Sequence, residues 1–337
     1  MNGITEHLNQ LLQRKDLTFE QARDLLDAVF TGEVPAGQIA AFLTAMHIKG
    51  AAPSELAGLA SSLRHHAVRV DCGADGLIDT CGTGGARLKT FNISTAAAIV
   101  AAGAGARVAK HGNRGITSLC GSADVLMALG VNVDSGPDRV AECIRKAGIG
   151  FMFAPKFHPA MRYVQPVRRE LPFRTIFNIL GPLANPALAT AQVMGVPDES
   201  LMRPIAETLC RLGVRRAMVV HSDGLDEIST FGPTKILRLV DGHIAAETLM
   251  PGDYGMSGAF EQLRGGDAQA NAAIIRRILD GSDTGPRRDV VVLNAAAAII
   301  VAGLANDFAD GVKRAREAID EGRAAEALQK LRETSNN

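Results

Sequence analysis

The sequence predicts an α/β protein: a small all-helical domain, then a larger α/β domain with a mainly parallel central sheet. Three observations predict it. The first seventy residues carry apolar side chains at helical spacing and no strand candidate. After Val70, short apolar runs alternate with helical segments, the pattern of a parallel sheet with crossover helices. The length, 337 residues, suits about two domains at roughly 100–200 residues each.

Phe19, Ala22, Leu25, Leu26 and Val29 recur at three- and four-residue steps and predict an amphipathic helix. Thr18 and Gln21 stand three apart ahead of it, as a capping box requires. Another helix starts at Ser54, with Leu56, Leu59 and Leu63 on one stripe. The first strand is Leu77 to Thr80, followed at once by Gly82-Thr83-Gly84-Gly85 and an Ala-rich helix from Ser94 to Ala102. Arg107 to Ala109 reads as a strand and Ala123 to Leu129 as a helix. Further strands are expected at Gly150 to Phe153, Ala217 to Val220 and Ile236 to Val240. Asp241-Gly242 is a hairpin signal, so the later sheet includes antiparallel strands. Pro155, Pro159, Pro166, Pro172, Pro182 and Pro186 mark a different stretch, read as a helical excursion that returns to the N-terminal helices. Asp310 to Glu333 is a pair of mixed-charge helices broken near Gly322, its charges a solvated face. The expected division is a helical domain over 1–70, joined by the excursion near 158–185, and an α/β domain over 71–157 and 186–337.

A hydrophobic share of 47% supplies a core and argues against disorder. The charges balance at 36 basic and 36 acidic side chains, and there are no Trp and two Tyr. Both features disfavour a nucleic-acid partner, which needs cationic surface and stacking aromatics. Cys72, Cys81, Cys120, Cys143 and Cys210 form no Cys-x-x-Cys pair and are odd in number, which suits thiols in a reducing compartment. The longest apolar run, Val290 to Ala305, is interrupted by Asn294 and falls short of the roughly 20 residues that span a bilayer. No secretory signal is visible near Met1. A cytoplasmic protein without membrane association is expected.

Four constellations carry chemistry. In Asp79-Thr80-Cys81-Gly82-Thr83-Gly84-Gly85, glycines after a strand let backbone N–H groups approach an anion. Asn92-Ile93-Ser94-Thr95 opens a helix ten residues on, and helix N-termini attract anions. Neither a dinucleotide fingerprint nor a nucleotide P-loop is present, and a plain tight turn would look the same. Lys110-His111-Gly112-Asn113-Arg114 follows a strand and crowds an ammonium, an imidazole, an amide and a guanidinium at its carboxyl end, where α/β crevices form. Asp223-Gly224-Leu225-Asp226-Glu227 offers the adjacent oxygens that Mg²⁺ takes beside substrate phosphates, or is a solvated acidic turn. His158 and, ten residues later, Arg168 lie in the excursion; a planar guanidinium reads a carboxylate.

Taken in order, Gly82 to Gly85 with Asn92 to Thr95, Lys110 to Arg114, Gly121 to Leu126, Arg174-Thr175-Ile176-Phe177-Asn178-Ile179-Leu180-Gly181-Pro182-Leu183 and Asp223 to Glu227 closely resemble the anthranilate phosphoribosyltransferase family. The resemblance spans nearly the whole chain. It implies the fold shared by nucleoside phosphorylases and such phosphoribosyltransferases, and a homodimer formed through the helical domain. It implies transfer of phosphoribose from phosphoribosyl pyrophosphate to the amine of anthranilate, in tryptophan biosynthesis. It implies that Gly82, Thr83, Gly84, Gly85, Thr90, Asn92, Ser94, Thr95 and Lys110 hold phosphoribosyl pyrophosphate. Mg²⁺ would sit on Asp226 and Glu227, with Ser94 contributing to a second ion. His111, Asn113, His158 and Arg168 would line the anthranilate path, Arg168 taking the carboxylate and Asn178 standing near.

One departure stands out. The family's loop usually reads Gly-Thr-Gly-Gly-Asp; this chain has Ala86, then Arg87, Leu88 and Lys89. An acid near the diphosphate is replaced by a segment with two cations, which leaves open another aromatic acceptor. The tract Gly115 to Cys120 also departs in wording and reads as scaffold. A pyrimidine nucleoside phosphorylase is the alternative enzyme, disfavoured by Asp226-Glu227 and the His158 to Arg168 segment. A nucleic-acid-binding paralogue is the alternative of another class, disfavoured by the charge balance.

Overall fold

The computed structural model describes residues 2–73, 75–115 and 119–337. Residues 116–118, the centre of the Gly115 to Cys120 tract, lie outside the described residues.

The chain opens with four helices, α1 (Asn2–Leu12), α2 (Phe19–Phe30), α3 (Ala36–Lys49) and α4 (Pro53–His65). Thr18 caps α2 through the reciprocal bonds expected with Gln21. Ala22, Leu25, Leu26 and Val29 of α2 and Leu56, Leu59 and Leu63 of α4 are buried. One carboxylate organises the bundle: Glu55, fully buried, accepts from the Leu17 and Ala52 N–H groups at 2.9 and 2.7 Å and from Lys49 Nζ at 2.8 Å.

Seven strands follow: β1 (Leu77–Gly82), β2 (Arg107–Gly112), β3 (Ile149–Phe153), β4 (Ala191–Gly195), β5 (Arg216–Ser222), β6 (Thr234–Val240) and β7 (His243–Leu249). They make one sheet in the order β3-β2-β1-β4-β5-β6-β7. The first five are mutually parallel; β6 and β7 add antiparallel at one edge. Asp241 and Gly242 make the β6–β7 turn with φ of 43° and 89°, as the hairpin signal required. The sequence pattern marks neither β4, in the middle of the sheet, nor β7, at its edge.

The remaining helices are α5 (Ile93–Gly103), α6 (Ser122–Ala128), α7 (Pro137–Ala147), α8 (Ala154–Phe157), α9 (Gln165–Glu170), α10 (Phe177–Leu183), α11 (Met202–Arg211), α12 (Ala268–Leu279), α13 (Pro286–Val301), α14 (Phe308–Asp320) and α15 (Arg323–Asn336). Alternate residues of each strand face opposite layers. Met218 and Val220 join the core with α5 and α13, whereas Ala217 and Val219 join the core containing α2 to α4 and α11. Val164, Val167, Phe177, Leu180 and Leu183 of the 154–183 excursion lie in that second core, so the excursion packs with the N-terminal helices. The tail is the expected helix pair, with Gly322 at φ 75° between the helices.

From β1 the chain moves outward to β2 and β3, then returns to place β4 on the other side of β1. The carboxyl ends of β1, β2, β4 and β5 therefore open a crevice at the point where strand order reverses.

Candidate active site

The loop after β1 turns through Gly84 and Gly85, at φ of 66° and 90°, where a side chain would be strained. A Cβ on Gly85 would also fall on the Arg174 guanidinium. Arg174 Nη2 donates to the Thr83 and Gly84 carbonyls, each at 2.9 Å, and so ties the loop to the excursion. Ser94 and Thr95 sit in the first turn of α5 and face the same space; the buried Thr95 Oγ1 has no hydrogen-bond partner among the described residues. Asn92, ahead of the helix, bonds the Cys120 carbonyl and Asn271.

β2 delivers Lys110 and His111. Lys110 is buried and donates to the Thr80 carbonyl at 2.6 Å. Its ammonium loses basicity to burial, partly restored by Asp79. Asp79 is fully buried beneath the site and accepts from Asn185 Nδ2 at 2.7 Å and from the His111 N–H at 3.3 Å. Burial lifts its carboxyl to about 6. The rings of His111 and His158 lie 5.0 Å apart, both buried. Burial holds His111 down to about 3 and His158 to about 4, so both are neutral imidazoles at neutral pH. His111 Nε2 and both ring nitrogens of His158 lack hydrogen-bond partners among the described residues, although the Gly181 backbone approaches His111 and the Ala184 and Leu63 backbone approaches His158.

The excursion supplies the opposite wall. Arg168 on α9 is half-buried, stands 5.3 Å from the Phe177 ring centre and reaches Gln165 Oε1 at 3.4 Å. It has no carboxylate partner among the described residues, and burial lowers its basicity. Asn178 Oδ1 accepts the Thr175 N–H at the start of α10. The glycine loop, Asn92, Ser94, Thr95, Lys110, His111, Asn113, His158, Arg168 and Asn178 together line a crevice of about 660 Å³. It adjoins a groove of about 1290 Å³ that runs past Lys49 and His221; Thr83, Gly85, Arg174 and Asn178 border both.

Asp226 and Glu227 follow β5. Two glycines admit Asp226: a Cβ on Gly195 would strike its carbonyl, and one on Gly82 would lie 2.7 Å from its Oδ2. The Gly84 N–H steadies the Asp226 carboxylate and the Ser94 N–H that of Glu227. Burial raises both acids; for Glu227, with Asp226 beside it, the value is about 8. Among the described residues no three His, Cys, Asp or Glu side chains form a metal cluster. Two adjacent carboxylates and the Ser94 hydroxyl beside an anion cradle nonetheless fit Mg²⁺, which takes oxygen ligands, keeps waters and shares substrate phosphates.

Three sequence-chosen residues do not border the crevice itself: Thr90 pairs through its backbone with Arg264, Asp226 lies against Gly82 of the glycine loop, and Glu227 borders a small cavity shared with Ser94. The departing segment packs on the acidic turn: Leu88 donates its N–H to the Gly224 carbonyl at 3.1 Å, and Arg87 lies 3.7 Å from Asp223, both side chains exposed. Sequence reasoning gave no role to Asp79, Arg174, Asn185 and Asn294, whose side chains hold backbone or one another around the site. The signal for Asn294 was present, a polar residue inside an apolar run.

Comparison with known proteins agrees along the whole chain. Residues 74–325 match a glycosyl transferase family a/b domain, and residues 5–67 a glycosyl transferase family helical bundle domain. The anthranilate phosphoribosyltransferase of Herpetosiphon aurantiacus is 51% identical over 336 residues, covering 99% of each chain. The crystal structure of anthranilate phosphoribosyltransferase from Thermus thermophilus superposes with a TM-score of 0.93 at 40% identity, covering 98% of this chain and 99% of that one. The enzyme of Saccharomyces cerevisiae in complex with PRPP and Mg superposes with a TM-score of 0.90 at 25% identity, covering 99% and 98%.

Proposed function

The chain belongs to the anthranilate phosphoribosyltransferase family, and from that premise we propose that its crevice transfers the phosphoribosyl group of phosphoribosyl pyrophosphate to the amine of anthranilate, a step of tryptophan biosynthesis. The observation that carries this reading is one crevice with two chemically distinct walls. Glycine backbone, a helix start and Lys110 stand on one side; Arg168, without an acidic partner among the described residues, stands on the other.

In this reading Gly82 to Gly85, Asn92, Ser94, Thr95 and Lys110 hold the donor's phosphates through backbone N–H groups, hydroxyls and charge. Asp226 and Glu227, with Ser94, would hold Mg²⁺, which when bound neutralises charge on the departing diphosphate. Arg168 takes the anthranilate carboxylate in a bidentate grip, and Phe177 keeps its guanidinium plane in place. His111, Asn113, His158 and Asn178 border the acceptor. The C1–O bond breaks with its electron pair leaving on pyrophosphate, and the amine lone pair forms the new C1–N bond. The nitrogen then gives one proton to the departing pyrophosphate or to water. An arylamine is neutral at working pH, so no strong base is required. The unprotonated imidazoles match that need, since they accept hydrogen bonds from the amine without putting a cation beside the forming oxocarbenium. Most of the acceleration then comes from alignment and fixed dipoles.

Residues 1–70 with the 158–185 excursion act as the acceptor-side domain, against an α/β donor-side domain over 71–157 and 186–337; the excursion's apolar side chains join the core of the N-terminal helices, a core that α11 and one face of β5 also enter. A homodimer through the N-terminal helices is supported by Leu12 and Ile48, 68% and 62% exposed on α1 and α3. A cytoplasmic setting with no nucleic-acid or membrane partner belongs to the same reading; the charges balance at 36 basic and 36 acidic, and among the described residues no helix is long and apolar enough to cross a membrane. Loss of anthranilate fluorescence with the purified protein tests the function. Consumption should need both phosphoribosyl pyrophosphate and Mg²⁺. A folded protein that consumes none would overturn the assignment.

A further inference from the structure

The buried stretch Val290–Val301 of α13 contains one polar side chain, Asn294. A buried amide is costly unless every group is bonded. Asn294 is bonded three times: Oδ1 accepts the Ile228 N–H at 3.0 Å, and Nδ2 donates to the Ile228 carbonyl at 2.9 Å and to the Val290 carbonyl at 2.8 Å. The amide therefore does for Ile228 what a neighbouring strand would do. Ile228 directly follows the Asp226-Glu227 pair.

The strand side holds the same turn. Ser222 Oγ donates to the Glu227 carbonyl at 2.7 Å and meets Thr234 Oγ1 at 2.9 Å, and Thr234 Oγ1 accepts the Ser229 N–H at 3.0 Å. Four successive main-chain groups, from the Glu227 carbonyl to the Ser229 N–H, are thus held by side chains. Asn294 also borders the small cavity under Glu227 that Thr80, Cys81 and Ser94 share. Burial in the packed interior makes α13 a rigid support, and α5, which brings Ser94, packs against it.

We propose that Asn294 is a positioning residue: by clamping Ile228 it holds the Asp226 and Glu227 carboxylates in the orientation that takes Mg²⁺ together with the donor diphosphate. This rests on the metal role given to that pair above. Groups that orient metal ligands without touching the ion commonly change metal affinity by roughly tenfold to a hundredfold when altered.

The test is calorimetry of phosphoribosyl pyrophosphate binding to the intact protein at graded Mg²⁺. Asn294→Asp keeps the acceptor and removes both donors. It should raise the Mg²⁺ concentration for half-maximal binding by about tenfold or more, and leave anthranilate binding, read by fluorescence, unchanged. Ser222→Ala, which releases the turn from the strand side, should shift the requirement in the same direction and decides the matter if Asn294→Asp does not fold. Ile299→Ala, a core truncation on the same helix, should lower the melting temperature without moving the Mg²⁺ requirement. An unshifted requirement in the folded turn variants, or an equal shift in Ile299→Ala, would overturn the proposal. Donor binding by the wild type that ignores Mg²⁺ would instead remove the metal reading of Asp226 and Glu227.

Discussion

Acidification should destabilise this protein through His111 and His158, by an amount that follows from where the two rings sit. Both are buried, and their folded values lie near 3 and 4 against about 6.5 in the unfolded chain. A folded value below the unfolded one means that the unfolded state takes up protons first. The stability these neutral rings contribute is complete above about pH 6.5 and is lost as pH falls toward the folded values. At about pH 5, each ring lies roughly 1.5 units below its unfolded value, and at 1.36 kcal/mol per unit each loses about 2 kcal/mol, or about 4 kcal/mol together. Asp79 and Glu227 pull the other way. Their folded values are raised, so they weaken the fold near neutrality and relax as they protonate. The wild-type curve alone would therefore mix opposing effects.

The decisive quantity is a difference. Urea unfolding of the wild type and of His111→Asn/His158→Asn, each near pH 7.5 and pH 5, cancels the carboxylates common to both. The wild type should lose about 4 kcal/mol more than the double variant between the two pH values. Parallel losses, within about 1 kcal/mol, would mean that the imidazoles are solvated or protonated in the fold. The neutral-ring chemistry proposed above would then fail with them.

Three further outcomes are expected. Arg168→Ala should raise the anthranilate KM by roughly tenfold to a hundredfold, the worth of a charge-assisted carboxylate contact, and leave that of phosphoribosyl pyrophosphate nearly unchanged in steady-state assays; Arg168→Lys should recover only part, since the fork is lost. Gly85→Ala, which puts a methyl group on the Arg174 guanidinium at a φ of 90°, should weaken donor binding at least about tenfold by calorimetry and lower the melting temperature, because residue and arginine cannot both keep their places. Asp226→Asn with Glu227→Gln should abolish Mg²⁺-dependent donor binding while thermal stability near neutral pH holds or rises, since two carboxyls that burial penalises in their charged form are removed; a sharp fall in stability would show the pair to be structural.

The parts of this molecule that were legible in its residues are those where one physical demand acts alone. α2 must only bury a stripe, so its spacing is plain; the glycine loop must only turn tightly, so its glycines cluster. β4 answers three demands at once and hides. Its sequence, Ala191 to Gly195, is fully buried at the centre of the sheet yet has no β-branched run. Gln192 must reach Cys81 and the Pro182 carbonyl, and Gly195 must lack a side chain so that Asp226 can come down onto the strand end. β7 hides for the opposite reason: it is an edge strand with most of its residues exposed, so alternation had little to record. Thr90 entered with the motif shared with the family, and its backbone pairs with Arg264, a partner so far along the chain that it leaves no local mark. Arg174 and Asn294 were passed over because their partners are main-chain atoms far along the chain, and a backbone carbonyl leaves no mark in a sequence. What does leave a mark is the expense of the polar group itself. An amide inside α13 has to be repaid by hydrogen bonds, and here those bonds lead straight to the residue beside Glu227. The same logic applies to Asp79 under Lys110: a polar residue in a run meant for the core marks where the fold is holding its chemistry in place.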